Sequence, residues 1–411
     1  MLAQLFALAI LAPGPVGAAP GNPLPAPTCA ADNGGLELPD GFCALLVASD
    51  SLGPVRHLAV ASNGDVLVAH RQRGLLLLRD TNGDGTADER HWILRAPGGN
   101  GVVLTDGAII FATNDSIVRI PLRVGALEPT GPVVTLARGL PARGHNAKGL
   151  ALGADGVLYV SFGSLSNSCQ KQGEDRRGPF PAPNPCPELP ERAGIWKLSP
   201  DRPDQVPSVE TRHATGLRNP MAMAVEPSTA TLYAAIHGRD ALTENWSFPA
   251  EEGRENPAEE FGPIHAGADY GWPYCYYDPR ARRKVQAPEY GGDGKKIGDC
   301  DRKTQPAIAF PAHWAPNALT FYTGSMFPAE YRGGAFLAFH GSWNRAPAPQ
   351  EGYRVVFIPF AGGKPVGTWR DFAVPSGAPT SIRPTGLAVG PDGSLFISDD
   401  ANGKIWRVIR R

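Results

Sequence analysis

One short strand unit occurs six times along the chain. Each copy consists of a small apolar run, a turn with Asp, Asn or Gly, and an alternating strand that ends in small or polar residues. The copies are LAVASNGDVLVAH (58–70), VVLTDGAIIFAT (102–113), LALGADGVLYVSFG (150–163), MAVEPSTATLYAAIHG (223–238), LTFYTG with GGAFLAFHG (319–341) and LAVGPDGSLFISDD (387–400). One such sheet cannot bury both of its faces, whereas six sheets arranged radially cover one another. The repeat therefore predicts an all-β fold, a six-bladed β-propeller.

Two long segments interrupt the later part of the repeat, residues 164–192 and 240–315. The 49 Gly and 42 Pro of this 411-residue chain indicate many turns rather than long helices. Loops on a rigid scaffold often carry function, so we expect these long loop insertions to shape a cleft on one face of the propeller. A β-sandwich is the alternative architecture, but it predicts no repeating motif.

The first residues, MLAQLFALAILAPGPVGAAP, form an apolar stretch followed by small residues, which is typical of a cleavable signal peptide. No Lys or Arg precedes this stretch, so its positive charge comes from the amino terminus alone. We predict a signal peptide at 1–19, an N-terminal extension at 20–36 and a propeller domain at 37–411, located in the periplasm or secreted. No later segment approaches the roughly 18 uninterrupted apolar residues of a membrane span.

Six cysteines agree with an oxidising compartment. Many pairings are possible, but each local pair would close a Pro- or Gly-rich loop, which favours local disulfides. The expected pairs are Cys29 with Cys43, Cys169 with Cys186, and Cys275 with Cys300. A zinc site is disfavoured because the sequence contains no C-x-x-C.

The formal net charge is -1, and the sequence has no large run of one sign. Such a chain lacks the electrostatic footprint needed to grip a nucleic acid or an anionic membrane. The expected partner is therefore a small molecule, and the sequence leaves the oligomeric state open.

Polar residues lie in the loops that lead into the inner strands of the later copies: His145, Arg218 with Asn219, Arg345 and Arg383. A histidine in such a loop faces the central channel of a propeller and can act as a general base. Convergent guanidinium groups without matching carboxylates predict an anion between them, for which a planar polycarboxylate is suited. The simpler alternatives are a turn histidine bonded to backbone, and surface ion pairs for the individual arginines.

The ordered segments RGHNAKGLALGADGVLYVSFGS, GLRNPMAMAVEP, DYGWPY, HGSWNR and RPTGLAVGPDGSLFISDDANGKIWRV resemble the soluble quinoprotein sugar dehydrogenases, above all the sorbosone dehydrogenase group. The resemblance spans residues 37–409. It implies a six-bladed propeller that holds pyrroloquinoline quinone (PQQ) and Ca2+ over the central channel. It also implies oxidation of an aldose or a related sugar and a separate electron acceptor, a cytochrome or a quinone.

The same resemblance implies roles for the axial residues. His145 would take the proton from the sugar hydroxyl while hydride passes to the cofactor. Arg218 would stabilise the charge that develops on the quinone oxygens, and Asn219 would contact the cofactor. Arg345 and Arg383 would bind its carboxylates, Arg345 standing where related glucose enzymes have a Lys.

Further positions follow from the family pattern. The carbonyls of Gly238 and Arg239 would ligate the calcium ion that polarises the quinone. Glu260 and the Tyr270 carbonyl resemble a second, structural calcium site. Asn100 is the nearest candidate for a cofactor-binding Gln that has no clear match.

One position departs from the pattern. Ser164 follows Gly163 where the glucose enzymes have an Asp that orients the base. We therefore expect His145 to lack a carboxylate partner, which lowers its basicity.

The turn DTNGDGTAD is a separate candidate for calcium binding. Its possible oxygen ligands are Asp80, Asn82, Asp84 and Asp88. Alternating oxygens and Gly85 at the sixth position suit calcium, but His91 stands at the twelfth position instead of a bidentate Glu. The alternative is a polar turn between strands.

Two other functions compete with the dehydrogenase. A calcium-dependent propeller lactonase or esterase predicts axial carboxylate ligands, whereas the axial loops offer Arg and His. A non-enzymatic binding module predicts exposed aromatic residues, for which Trp272, Tyr274, Tyr276 and Tyr277 are candidates.

Overall fold

The fold is a six-bladed β-propeller, as the repeat predicts. The computed structural model describes residues 27–49 and 52–411, and in these ranges six antiparallel sheets surround one axis. The inner strands of neighbouring blades contact one another in a closed ring. Each copy of the sequence unit provides the two innermost strands of one blade, because its turn joins two strands that pair directly.

The blades are numbered along the chain, and their strands are given from the inside outwards. Blade 1 comprises Val55–Val60, Val66–His70, Gly74–Arg79 and Glu89–Arg95; blade 2, Val102–Thr105, Ala108–Ala112, Ile117–Pro121 and Val134–Ala137; and blade 3, Leu150–Leu152, Leu158–Phe162, Gly194–Leu198 and Arg212–Thr215. Blade 4 comprises Ala222–Glu226, Thr231–Ile236, Glu259–Pro263 and Ile308–Phe310; blade 5, Pro316–Phe321, Ala335–Phe339, Arg354–Ile358, Arg370–Pro375 and Leu36–Glu37; and blade 6, Pro384–Val389, Leu395–Asp399, Lys404–Arg410 and Phe42–Ala48.

Short elements decorate the blades. Two hairpins are formed by Cys275–Asp278 with Arg283–Gln286 and by Phe360–Ala361 with Lys364–Pro365. The α-helices are Leu242–Trp246 and Ala250–Glu255, and the 3-10 helices are Ala31–Gly34, Pro288–Tyr290, Gly298–Arg302 and Ala329–Tyr331. No helix in the described ranges is both long and apolar enough to cross a membrane.

The N-terminal part of the chain closes the ring. Strand Phe42–Ala48 is the outer strand of blade 6, with Phe42 opposite Arg410 and Leu45 opposite Arg407. The Phe42 ring also packs edge-on against Phe327 of blade 5 at 4.8 Å between centroids. Backbone hydrogen bonds between the two ends of the sequence therefore hold the first and last blades together.

The hydrophobic core is divided into layers between neighbouring blades. Fully buried Ile110 of blade 2 and Val160 of blade 3 belong to one cluster. Phe261 of blade 4 and Leu337 of blade 5 belong to another. Because every blade is covered on both faces, the apolar inner strands need no helical cover.

Two predicted segments contain residues that belong to the blades. The insertion expected at 240–315 contains strands Glu259–Pro263 and Ile308–Phe310, which are the outer half of blade 4. The hairpin Cys275–Asp278 with Arg283–Gln286 lies between them in the sequence and hides their relation. The extension expected to end at 36 overlaps strand Leu36–Glu37, in which Leu36 is buried against blade 5.

The three local disulfides are confirmed. The bonds join Cys29 to Cys43, Cys169 to Cys186, and Cys275 to Cys300. The first ties the N-terminal segment to blade 6, and the other two close the two insertions. The predicted signal peptide at 1–19 lies outside the described residues.

Candidate active site

A cavity with a volume of about 340 Å³ lies at the end of the axis where the inner strands begin. The predicted residues His145, Arg218, Asn219 and Arg383 all line it. The two insertions contribute as well, as expected, with Arg176 from the first and Asp240, Glu259 and His313 from the second. The lining histidines and arginines are His145, His237, His313 and His340, with Arg56, Arg71, Arg176, Arg218 and Arg383.

Ser164 orients the imidazole of His145. The Nδ1 atom of His145 lies 3.0 Å from both the carbonyl oxygen and the Oγ of Ser164. Ser164 Oγ donates its own hydrogen to the Ser166 carbonyl at 2.6 Å, so it accepts from the imidazole. Nδ1 therefore carries the proton, and Nε2 is the nitrogen with a free lone pair.

Within the described residues, the imidazole of His145 is bonded to Ser164, and no ion pair joins it to a carboxylate. Burial, followed by the positive charge of Arg218, lowers the pKa of His145 well below its usual value. The imidazole is therefore neutral at ordinary pH, which is the form that accepts a proton.

Close packing fixes the position of the His145 loop. A Cβ atom on Gly163 would lie 2.5 Å from His145 Cβ, so only glycine allows this approach. On the other side, the buried Lys148 Nζ donates to the Pro141 and Asn146 carbonyls, each at 3.0 Å. These bonds bracket His145 and hold it against the third blade.

Asp240 binds two of the cavity arginines. Its Oδ2 lies 2.8 Å from Arg176 and 3.1 Å from Arg218. Burial opposes ionisation of Asp240, but Arg218, His313 and Arg176 outweigh it and lower the pKa of this carboxyl. Arg218 also donates to the Gly238 carbonyl at 2.7 Å, so its guanidinium is rigidly oriented.

Positive charge still exceeds negative charge in the cavity. Among the described residues, five arginines and two carboxylates, Asp240 and Glu259, line it, and Arg56 pairs with Asp400 outside the lining. Burial raises the pKa of Glu259 to about 7, despite hydrogen bonds from the Ala315 and Gly238 amides. Arg383 has no ion pair in the described residues, since its contacts are the Tyr353 hydroxyl at 3.4 Å and His340 Nδ1 at 3.5 Å. The cavity is therefore suited to an anion.

Asn219 provides a second sign of a polar ligand. Its side chain lines the cavity, and its Oδ1 is buried without a hydrogen-bond partner in the described part of the chain. A buried acceptor left unpaired costs about 1–3 kcal/mol, so a bound donor would satisfy it.

Arg345, predicted to bind the cofactor, is not among the residues that line the cavity. Its buried guanidinium pairs with Glu255 at 3.3 Å and Glu351 at 3.4 Å, and it donates to the Arg254 carbonyl. These partners occupy the guanidinium with protein groups outside the cavity lining. The expectation that the axial arginines lack carboxylate partners is therefore wrong for Arg345. It is also wrong for Arg218, which pairs with Asp240.

Asn100 also lies outside the cavity. It is buried beside blade 3 and donates to the Lys148 carbonyl at 3.3 Å. Its Oδ1 is buried without a hydrogen-bond partner in the described residues, as that of Asn219 is, so its contact with the cofactor stays a prediction.

The expected second calcium site is filled by protein. Lys284 Nζ lies 2.5 Å from Glu260 and 2.6 Å from the Tyr270 carbonyl, which are the two predicted ligands. At the first site, the Gly238 carbonyl already accepts from Arg218, and the Arg239 side chain pairs with Glu289. Gly238 lines the cavity, but these residues do not by themselves form the six to eight oxygens that calcium prefers.

The DTNGDGTAD segment is a hydrogen-bonded turn. Asp80 accepts from the Gly83 and Gly85 amides at 2.7 and 2.8 Å, and Asp88 accepts from Thr81. Asn82 and Asp84 each cap an amide two residues ahead. No group of three His, Cys, Asp or Glu side chains in the described ranges is arranged for a metal ion, so calcium binding here is not supported.

Residues 208–411 match the family model described as TrAA12-like. This segment carries Arg218, Asn219 and Arg383. Through this half, the chain belongs to the TrAA12-like family. The resemblance to soluble quinoprotein sugar dehydrogenases is thereby confirmed at the level of the family.

Two curated relatives of this TrAA12-like chain are partial matches. One is a pyrroloquinoline quinone-dependent pyranose dehydrogenase of Coprinopsis cinerea, 28% identical in an alignment 242 residues long that covers 48% of this chain and 31% of that protein. The other is an uncharacterised protein of Borreliella burgdorferi, 28% identical over 201 residues, 47% of this chain and 48% of that protein. The chain thus matches less than half the length of these relatives.

Solved structures agree in fold over nearly the whole chain. The calcium structure of a Trichoderma reesei family AA12 protein has a TM-score of 0.75 at 20% identity and covers 95% of this chain and 100% of its own. The holo PQQ domain of a pyranose dehydrogenase from Coprinopsis cinerea has a TM-score of 0.72 at 20% identity, covering 94% and 98%. These similarities support the propeller architecture of the TrAA12-like chain.

Sequence reasoning missed several lining residues. His237 and His340 stand at the ends of the fourth and fifth copies, where the second strand of a blade returns to the end at which the inner strand begins. Their position in the repeat is a signal that could have found them. Arg176 and His313 lie in insertions, and no local pattern marks them.

We expect the TrAA12-like propeller to lose stability as pH falls from about 6.5 to about 4. Burial lowers the pKa of His57 and His237 to about 4, and their Nε2 atoms donate to the Asn317 and Pro316 carbonyls at 2.7 Å. The unfolded chain binds protons near pH 6.5, so protonation favours unfolding in this window by up to about 3 kcal/mol per imidazole. Urea unfolding measured across this range should show the slope.

As a control, each histidine is replaced by glutamine, which can donate a hydrogen bond but does not bind a proton in this pH range. In the double variant His57→Gln and His237→Gln, the slope should flatten between pH 6.5 and 4. The exposed His265 provides a matched variant, His265→Gln, that should keep it. An unchanged slope in the double variant would show that these imidazoles do not govern acid stability.

Proposed function

We propose that the chain is an exported PQQ-dependent dehydrogenase that oxidises a sugar or sugar aldehyde, such as an aldose or sorbosone, and passes electrons to a separate acceptor. The observation that carries this proposal is the axial cavity, in which neutral His145 faces an excess of arginine. Family membership supports the cofactor. Three disulfides support an oxidising compartment such as the periplasm or the exterior.

The cavity residues fit an anionic, planar cofactor. Arg383 has hydrogen-bond capacity left for a carboxylate, and Asn219 Oδ1 is an unpaired acceptor. When bound, PQQ supplies a two-electron sink that accepts hydride from a substrate carbon. Calcium enters the proposal only through the resemblance, with the Gly238 and Arg239 carbonyls as ligands, and no step below depends on it.

His145 performs the proton transfer. As the substrate carbon loses hydride, its hydroxyl loses a proton to His145 Nε2 and the carbon–oxygen bond becomes a carbonyl. The Nδ1–H bond to Ser164 keeps Nε2 unprotonated before the reaction and fixes the ring plane. Arg218, held by Asp240, keeps positive charge beside the developing negative charge.

The competing functions find less support in the described residues. A lactonase needs free axial carboxylates, whereas Asp240 binds Arg176 and Arg218, and Glu259 accepts from the Gly238 and Ala315 amides. A binding module needs exposed aromatics. Of the predicted aromatics, Trp272 and Tyr276 are buried, Tyr277 is half-buried, and Tyr274 accepts a hydrogen bond from the Cys186 amide inside the insertions. Trp343 is exposed, but it lines the axial cavity beside the polar groups.

Reconstitution tests the proposal. The chain from residue 20 onward is loaded with PQQ and calcium, PQQ binding is measured by titration, and dye reduction is assayed with aldoses, sorbosone and lactones. We expect one PQQ per chain and dye reduction with a sugar or sugar aldehyde. Absence of both binding and dye reduction would refute the proposal, and lactone hydrolysis without PQQ would favour the hydrolase.

The acid limb of the pH profile should lie below pH 6.5, because burial and Arg218 lower the pKa of His145 and keep it neutral. In Ser164→Asp, a carboxylate beside Nδ1 would favour the imidazolium and raise that pKa. The acid limb of kcat/KM should then move to higher pH. Ser164→Ala serves as a control without added charge, and an identical limb in Ser164→Asp would show that this position does not tune the base.

A further inference from the structure

A buried lysine occupies a point where two oxygen atoms converge. Lys284 Nζ lies 2.5 Å from Glu260 Oε2 and 2.6 Å from the Tyr270 carbonyl oxygen. The Lys284 side chain is completely buried, and that of Glu260 is 15% exposed. A carboxylate and a carbonyl directed at one point create a site of negative potential, which requires a cation.

The ammonium group takes the position of a metal ion between its ligands. Calcium is bound by carboxylate and carbonyl oxygens. The lysine nitrogen is bonded to one oxygen of each kind, the two that the family pattern predicts as calcium ligands. An ammonium group and a divalent cation repel each other strongly at such short range, so the two exclude each other.

Lys284 also connects three separate segments. It belongs to strand Arg283–Gln286 of the insertion hairpin, Glu260 belongs to blade 4, and Tyr270 lies in the loop between them. The Tyr270 hydroxyl donates to the Pro263 carbonyl at 2.7 Å, which ties the same loop to blade 4 a second time. One ammonium group therefore docks the hairpin and the loop onto the propeller.

We propose that Lys284 is a tethered cation that takes the place of a structural calcium ion at Glu260 and Tyr270, so that the second insertion docks on blade 4 without metal. The role is structural, and it holds whether or not the chain oxidises sugars. It implies that chelation does not release this insertion.

Thermal unfolding of the chain without PQQ, in chelator and in millimolar calcium, tests the proposal. The change in Tm on adding calcium should be no larger in the wild type than in Glu260→Gln. Lys284→Ser should lower the Tm in chelator by roughly 5 °C, because it leaves a buried carboxylate unpaired. Calcium should restore part of that loss, since the short serine leaves room for an ion beside Glu260.

Two matched variants separate charge from space. Lys284→Met removes the charge but fills the volume, so its Tm should fall without recovery in calcium. Lys303→Ser breaks an ion pair of 2.6 Å with Asp269 in the same insertion, where the lysine side chain is 21% exposed. It should change the Tm little in either buffer.

If Lys284→Ser does not fold, the calcium content and the Tm of the wild type and of Glu260→Gln test the proposal instead. The proposal is overturned if the wild type binds a calcium ion, or gains Tm in calcium, and Glu260→Gln abolishes that effect. An equal calcium effect in the wild type and in Glu260→Gln shows that Glu260 holds no ion in the wild type, as the proposal requires.

Discussion

Replacing His145 with alanine is expected to lower the turnover of sugar by about a hundredfold to ten-thousandfold, the usual loss when a general base is removed. His145 is the cavity histidine whose Nδ1 is bonded to Ser164 and whose Nε2 is left as an acceptor. PQQ affinity should change little, because the cationic groups of Arg218 and Arg383 remain. Steady-state dye reduction and PQQ titration of the same preparation measure the two effects.

His340→Ala is the matched comparison. The Nε2 of His340 bonds Asp400 at 2.9 Å, and its Nδ1 faces Arg383 at 3.5 Å, so both ring nitrogens have partners. We expect this variant to alter PQQ affinity more than turnover per bound cofactor. If His340→Ala lost as much turnover as His145→Ala, the base would be assigned to the His340 and Asp400 pair. Normal turnover per bound PQQ in His145→Ala would equally contradict the assignment.

Local sequence patterns were sufficient to predict the blades but not the closure of the ring. The two inner strands of each blade are consecutive in the sequence and are joined by one short turn. Strands such as Val66–His70 and Leu395–Asp399 can therefore be recognised within one copy of the repeat. Phe42–Ala48 pairs instead with the opposite end of the chain. Its partner is set by the ring geometry, which no local pattern contains.

The same limit applies to the candidate site. His145, Arg218 and Arg383 were found because equivalent loops of a propeller meet on its axis. Arg345 also follows an inner hairpin, but Glu255 of the second insertion and Glu351 direct its side chain elsewhere. A position in the repeat predicts where a loop begins, whereas the direction of a long side chain depends on ion pairs with distant segments.

That contrast leads to opposite expectations for two arginines that the family pattern treats alike. Arg383→Ala should raise the Kd for PQQ by about 10- to 100-fold, the equivalent of roughly 1.5–3 kcal/mol for one charge-assisted bond. The folded chain should be barely destabilised, because Arg383 is half-buried and its protein contacts are long, at 3.4 and 3.5 Å. Fluorescence titration with PQQ and urea unfolding give the two quantities.

Arg345→Ala should behave in the reverse manner. It removes the pairs with Glu255 and Glu351 and the bond to the Arg254 carbonyl from a buried position, which should lower the free energy of unfolding by roughly 2–3 kcal/mol. PQQ affinity measured at a temperature where the variant is folded should stay near that of the wild type. If Arg345→Ala weakened PQQ as much as Arg383→Ala, the guanidinium would have to leave its carboxylates when the cofactor binds. PQQ binding would then rearrange the axial cavity. Arg345 would add a further positive charge to those that line the cavity in this structure.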